Sequence, residues 1–112
     1  MNRTATLEPE VTDYEMIQKT HAVLELLSPR WAVDVLYTLA GGTRRYSELL
    51  YEVGEISKKT LTQTLRGLQR EGLVVRQVHP EVPVRVEYSL TPLGWSLTSP
   101  LMALYEWAAA EL

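Results

Sequence analysis

The apolar residues change period twice along this chain, and that double switch limits it to a helical body carrying one β-hairpin. Up to Gly72 they recur at helical spacing, in segments punctuated by glycine. From Leu73 the period becomes two. "LVVRQV" and "VRVEYSL" are β-branched runs joined by "HPEVP", whose two prolines make a stiff, extended loop. In the second run Val84, Val86, Tyr88 and Leu90 alternate with Arg85, Glu87 and Ser89, as in a half-exposed hairpin strand. Thr91-Pro92 then caps and starts a helix that reaches the C-terminus, in which Pro100 is expected to bend the axis or interrupt the hydrogen bonding.

Upstream of the switch the punctuation divides the chain into four helices. Residues 1–12 lack periodicity, contain Pro9 and read as a flexible arm; residues 13–112 read as a single domain. Thr12 with Glu15 fits a capping box opening a helix through Leu27. In "SPRW", Ser28 reads as an N-cap and Pro29 as the first helical position of a segment, Arg30–Ala40, that is apolar nearly all round through Trp31, Val33, Val35, Leu36 and Leu39. It should be the central buried helix, ended by Gly41-Gly42. After a short extended "TRRY", Ser47 is expected to cap a third helix closed by Gly54, and Ser57 a fourth closed by Gly72.

Two short helices joined by a tight turn and followed by a hairpin form a winged helix-turn-helix, a mainly α fold with a small β-wing. The fourth helix carries the chemistry. Ile56, Leu61, Leu65 and Leu68 fall near one face, to dock on the central helix, while Lys59, Thr62, Gln63, Arg66 and Arg70 share the opposite one. No acid lies between Lys58 and Arg70. The chain is acidic overall (net charge -3), yet residues 43–76 carry seven bases against four acids. A local basic patch steers a ligand more than the total does, and phosphates are its natural partner. The face offers long donors for guanine and amides or hydroxyls for adenine, so Lys59, Thr62, Gln63 and Arg66 are the candidate base readers. Candidate backbone contacts are Arg44, Arg45, Ser47, Ser57, Lys58, Arg70, His79 and Arg85. Alternation places Arg85 opposite Val84 and Val86, near the wing tip; its alternative role is a surface charge paired with Glu81 or Glu87.

Other chemistries find little support. With no cysteine, thiolate catalysis, thiolate metal sites and disulfides are excluded. His21 and His79 stand far apart and no serine sits in a nucleophile elbow. "GEISKKT" echoes a phosphate loop but has Lys59 where a glycine is required. Glu8, Glu10, Asp13 and Glu15 read as a solvated arm rather than a metal site, so no cofactor or metal is expected. No apolar run approaches the ~20 residues of a membrane span, and a soluble, cytoplasmic, non-enzymatic protein is expected. Trp95, Met102, Tyr105 and Trp107 on the last helix, with Tyr14, Ile17 and Val23 on the first, read as a dimer contact, with a pocket for a small apolar effector as the lesser use. The rival class is a winged helix used as a protein-interaction module without DNA. It requires an apolar or acidic exposed face on the fourth helix, and this one is basic.

The stretch "ISKKTLTQTLRGLQREGLVVRQVHPEVPVRVEYSLTPLG" resembles the HxlR-type winged helix-turn-helix transcriptional regulators of bacteria and archaea, within the MarR-like superfamily; the likeness extends over "RWAVDVLYTLAGGTRRYSELL". That resemblance implies a homodimer whose first and last helices, 13–27 and 92–111, form the interface. It also implies operator binding, with the "KKTLTQTLR" helix in the major groove and Arg85 at the adjacent minor groove or backbone. Many such regulators sense oxidants through a cysteine thirteen residues before the tryptophan; counted back from Trp31, that position is Gln18. Gly67, within the fourth helix, is a second departure and costs roughly 1 kcal/mol of helix propensity.

Overall fold

A computed structural model describes residues 12–112. Its elements are α1 (Asp13–Leu27), α2 (Ala32–Ala40), β1 (Arg44–Arg45), α3 (Tyr46–Val53), α4 (Lys58–Arg70), β2 (Val74–His79), β3 (Arg85–Leu90) and α5 (Pro92–Glu111). This is the helical body with a β-wing that the double change of period requires. The expected arm lies, apart from Thr12, outside the described residues, as do Glu8 and Glu10.

Each helix start has a local cause. Thr12 Oγ1 accepts the Glu15 amide at 3.0 Å and opens α1. Ser28 does not cap α2 as expected: its amide and hydroxyl both donate to the Glu25 carbonyl, so it ends α1 instead. A serine hydroxyl can serve either neighbouring helix, and here a turn closed by Ala32 N–H to the Pro29 carbonyl intervenes. Helix α2 therefore begins at Ala32 rather than Arg30. Likewise α3 opens at Tyr46, one residue before Ser47. The Glu48 carboxylate receives the Arg45 amide at 2.7 Å and fixes the earlier start.

The core forms around α2. Ala32, Val35, Leu36 and Leu39 are buried against Leu49 of α3, Leu61, Leu65 and Leu68 of α4, Tyr88 and Leu90 of β3, and Leu101 of α5. The sheet has three strands: the short extended segment expected at "TRRY" supplies β1, which joins the two strands of the wing. In the antiparallel order β1-β3-β2, Arg44 pairs with Tyr88 and Arg45 with Glu87. A two-residue strand has no period of its own, so its partner is invisible in sequence. The inward alternation holds at Tyr88 and Leu90 but fails at Val84, which is exposed because the core ends below the wing tip.

Helix α4 closes on Gly72 (φ +75°), where the Leu73 amide reaches the Leu68 carbonyl and the Gly72 amide that of Gln69. The Leu73 carbonyl then accepts the Thr91 amide at 3.0 Å, and Thr91 Oγ1 caps α5 by accepting from Gly94. Helix α5 runs continuously across Pro100. The proline removes the one amide that would serve the Ser96 carbonyl, and both residues are exposed, so water can replace it. No helix among the described residues is long and apolar enough to cross a membrane.

Candidate nucleic-acid interface

Helix α4 is anchored from below and bare above. Ser57 Oγ accepts the Thr60 amide at 3.0 Å, while Ile56 just before the cap and Leu61 just inside it are both buried in the core. Leu61, Leu65 and Leu68 hold the lower face; burying each contributes roughly 1.5–3 kcal/mol. Lys58, Lys59, Gln63, Arg66 and Arg70 are exposed on the other side, with Thr62 half-buried at its edge. The first turn contains no acidic residue.

The bases of this region fall into two sets. Lys58, Lys59, Arg66 and Arg70 on α4, Arg45 on β1 and Arg76 on β2 make no ion pair among the described residues. Arg44 and Arg85 are already engaged. Arg44 Nε lies 2.7 Å from Glu52 Oε2 on α3. Arg85 donates to Glu81 Oε2 at 2.6 Å through Nη2 and lies 2.8 Å from Glu87 Oε2 through Nη1, while His79 Nε2 sits 2.8 Å from Glu87 Oε1. In the free chain Arg85 is thus held by both carboxylates that could neutralise it. Ser47 and Ser57 lie exposed at the starts of α3 and α4.

The wing cluster shifts its own titration. Hydrogen bonding from Arg85 holds the Glu81 carboxyl below its ordinary value. For Glu87, burial pushes upward, but hydrogen bonds from Arg85 and His79 outweigh it and the carboxyl is again lowered. The Glu81 hydrogen bond, chiefly, raises the Arg85 guanidinium further. Lowered carboxylates favour the folded wing above the ordinary carboxylate value of 4.5, and that contribution is lost only as pH falls through the lower folded values. Both carboxylates are therefore ionised across the neutral range.

Gly67 is half-buried and lines a cavity of about 480 Å³ between α1, α2 and α4, together with Leu26, Trp31 and Arg70. Among the described residues a Cβ at Gly67 would meet only Arg70 Nη2, at 3.7 Å, an ordinary contact, so none of them requires glycine there. Gly67→Ala should raise stability by about 1 kcal/mol and the melting temperature by roughly 4–8 °C. A lower melting temperature would show that α4 needs its present shape. Trp95, Met102 and Trp107, named for an effector pocket, do not line this cavity; they stand about half exposed on α5 (48%, 51% and 59%).

Arg85 takes up the alternative role given to it, as a charge paired with Glu81 or Glu87, and it does so with both at once. Two features were not foreseen: Tyr46 on α3 bonds to α4, and Gly94 packs against the Leu73 backbone. The first depends on the third dimension and leaves no periodic signal. The glycine of "TPLG" was visible as a residue but not as a contact.

A family model described as HxlR-like helix-turn-helix matches residues 26–112. The uncharacterized HTH-type transcriptional regulator YtfH of Escherichia coli (strain K12) is 41% identical over 90 residues, 80% of this chain and 71% of that protein. A solved transcriptional regulator of the MarR family from Enterococcus faecalis V583 superposes with TM-score 0.83 at 30% identity, over 92% of this chain and 91% of that one. Diamide-treated YodB from B. subtilis superposes with TM-score 0.74 at 33% identity, over 83% and 92%.

Proposed function

The chain belongs to the HxlR-like helix-turn-helix family and is a transcriptional regulator rather than an enzyme, and from that premise we propose that it binds double-stranded DNA sequence-specifically, as a homodimer, on an inverted-repeat operator. The bare cationic face of α4 carries this reading. Lysines at the first two positions of a helix oppose its dipole, which favours anions there by about 0.3–1 kcal/mol. Lys58 and Lys59 have no acid beside them in that turn, so a phosphate is the partner that resolves the conflict. Lys59, Thr62, Gln63 and Arg66 then face base edges in the major groove, while Lys58 and Arg70 hold the backbone with Arg45, Ser47 and Ser57. Arg44, paired to Glu52, and His79, bonded to Glu87, are the secondary contacts. A regulator of prokaryotic promoters acts in the cytoplasm.

The dimer rests on α1 and α5. Helix α1 buries none of its residues, although Tyr14, Ile17, Val23 and Leu24 are apolar. On α5, Trp95, Met102, Leu104, Tyr105 and Trp107 form a second exposed apolar surface. Patches of this kind call for a partner, and a second copy offers the complementary helices. Two-fold symmetry would set the recognition helices ~34–36 Å apart, one DNA turn.

At the wing, Arg85 exchanges its carboxylates for phosphate on binding. Glu81→Gln should therefore tighten binding to every sequence by about two- to fivefold, the scale of an exposed ion pair. Arg85→Ala should lower the salt slope by about one contact. An unchanged slope would leave Arg85 with its glutamates and off the DNA.

Without cysteine, and with Gln18 thirteen residues before Trp31, the chain has no thiolate to oxidise. DNA binding is constitutive, or is governed by a small apolar effector or protein partner at the α1–α5 surface. The test is selection of bound fragments from the source genome, with sedimentation of the free chain and a parallel binding assay in millimolar diamide. An inverted repeat, a dimer at micromolar concentration and indifference to diamide are expected. A monomer, or release of DNA that dithiothreitol reverses, contradicts the proposal. So does selection without sequence preference, which would favour the interaction-module class.

A further inference from the structure

One side chain of the reading face has its hydrogen already committed. Tyr46, the first residue of α3, reaches across to α4, where its hydroxyl lies 2.9 Å from the Lys58 carbonyl oxygen and 3.1 Å from Thr62 Oγ1. A carbonyl can only accept, so the single tyrosine proton goes to Lys58. The Tyr46 oxygen is left as an acceptor, and the Thr62 hydroxyl must donate to it. Thr62 then presents only lone pairs and a methyl group to anything outside the chain. It is half-buried, and its open side lines a groove with Arg66, Gln69 and Arg76.

From this arrangement we infer that Thr62 reads an exocyclic amino group, adenine N6 or cytosine N4, and that Tyr46 is the positioning residue that imposes this polarity. The inference rests on the DNA-binding reading above. A free threonine hydroxyl is ambiguous, because it rotates to donate to guanine O6 or thymine O4 as readily as it accepts from an amino group. With its proton held by Tyr46, a keto oxygen meets an acceptor and is rejected. Every base pair offers one amino and one keto group in the major groove, so the device fixes which strand carries which. Four possible pairs become two, each in one orientation.

The polarity also explains why a tyrosine stands at this position. A phenylalanine would fill the same space between α3 and α4 but would free the Thr62 proton. The Lys58 carbonyl, in the first turn of α4, would keep its own helical amide partner, so the fold does not depend on the phenol.

The test selects binding sites from a randomised duplex pool with four proteins: the native chain, Tyr46→Phe, Thr62→Val and Thr62→Ser. The native chain should prefer adenine or cytosine over guanine or thymine on one strand, at one position in each half-site. In Tyr46→Phe that preference should weaken by about three- to tenfold, the scale of one hydrogen bond, with other positions and the salt slope unchanged. Thr62→Val should lose the same position and Thr62→Ser should keep it. Thr62→Val keeps the side-chain shape, so it decides the matter if Tyr46→Phe disturbs α3. If Tyr46→Phe and Thr62→Val leave every position unchanged, the inference is overturned and the DNA-binding reading stands. Uniform weakening at all positions in Tyr46→Phe, with Thr62→Val neutral, reduces Tyr46 to a structural tether and also overturns it. No sequence preference in the native chain removes both.

Discussion

Gly94→Ala is expected to destabilise the chain by about 3 kcal/mol or more, lowering the melting temperature by roughly 10 °C or more. Gly94 is buried in the first turn of α5, where a Cβ would collide with the Leu73 carbonyl oxygen and lie 3.2 Å from Leu90 Cδ2. The carbonyl cannot withdraw. It accepts the Thr91 amide at 3.0 Å, and the Leu73 amide closes α4 on the Leu68 carbonyl. One added methyl therefore presses on three elements at once: the end of α4, the start of β2 and the entry to α5. Urea unfolding of the native chain, Gly94→Ala and Gly67→Ala gives the comparison. Both substitutions add the same methyl to a helix, and they should move stability in opposite directions. A Gly94→Ala midpoint equal to that of the native chain would show that the junction is looser than its geometry.

The second large effect concerns binding. Arg66→Ala should cost ~1–3 kcal/mol on the specific site and relax the base preference at one position per half-site. Arg66 is exposed in mid-helix, makes no ion pair among the described residues, and sits one turn beyond Thr62 and Gln63 on the same face. Gln63→Ala should behave similarly. Lys58→Ala, at the first position of the helix, should weaken all sequences alike, because a charge beside the helix terminus meets phosphate rather than base. Equal losses on specific and random DNA for Arg66→Ala would make it a phosphate contact.

Much of this was legible in the sequence because period and punctuation are local. The wheel of α4 separated Leu61, Leu65 and Leu68 from Lys59, Gln63 and Arg66, and burial divides them in the same way. Gly54 and Gly72 mark their helix ends because each adopts a positive φ, where glycine alone is unstrained. Ser28 misled because a hydroxyl can serve either of two neighbouring helices, and Ser47 because the Glu48 carboxylate takes the Arg45 amide and starts α3 earlier. The pairing of β1 with β3 and the Tyr46 bridge join residues that lie in different elements, and nothing in their spacing shows which will meet. For Arg85, alternation placed the side chain on the outer face of the wing, but only coordinates show both glutamates on it.

The central claim is that the bare face of α4 reads DNA. Its most direct measurement is the affinity of the native chain for its selected operator and for random duplex, each titrated against salt, with Arg66→Ala alongside. Specific binding should exceed random binding by about 10³-fold or more, and both should weaken steeply and linearly in log salt. Arg66→Ala should shrink the gap between them. Equal affinity for the two duplexes, or a salt-independent interaction that Arg66→Ala leaves untouched, would contradict the account.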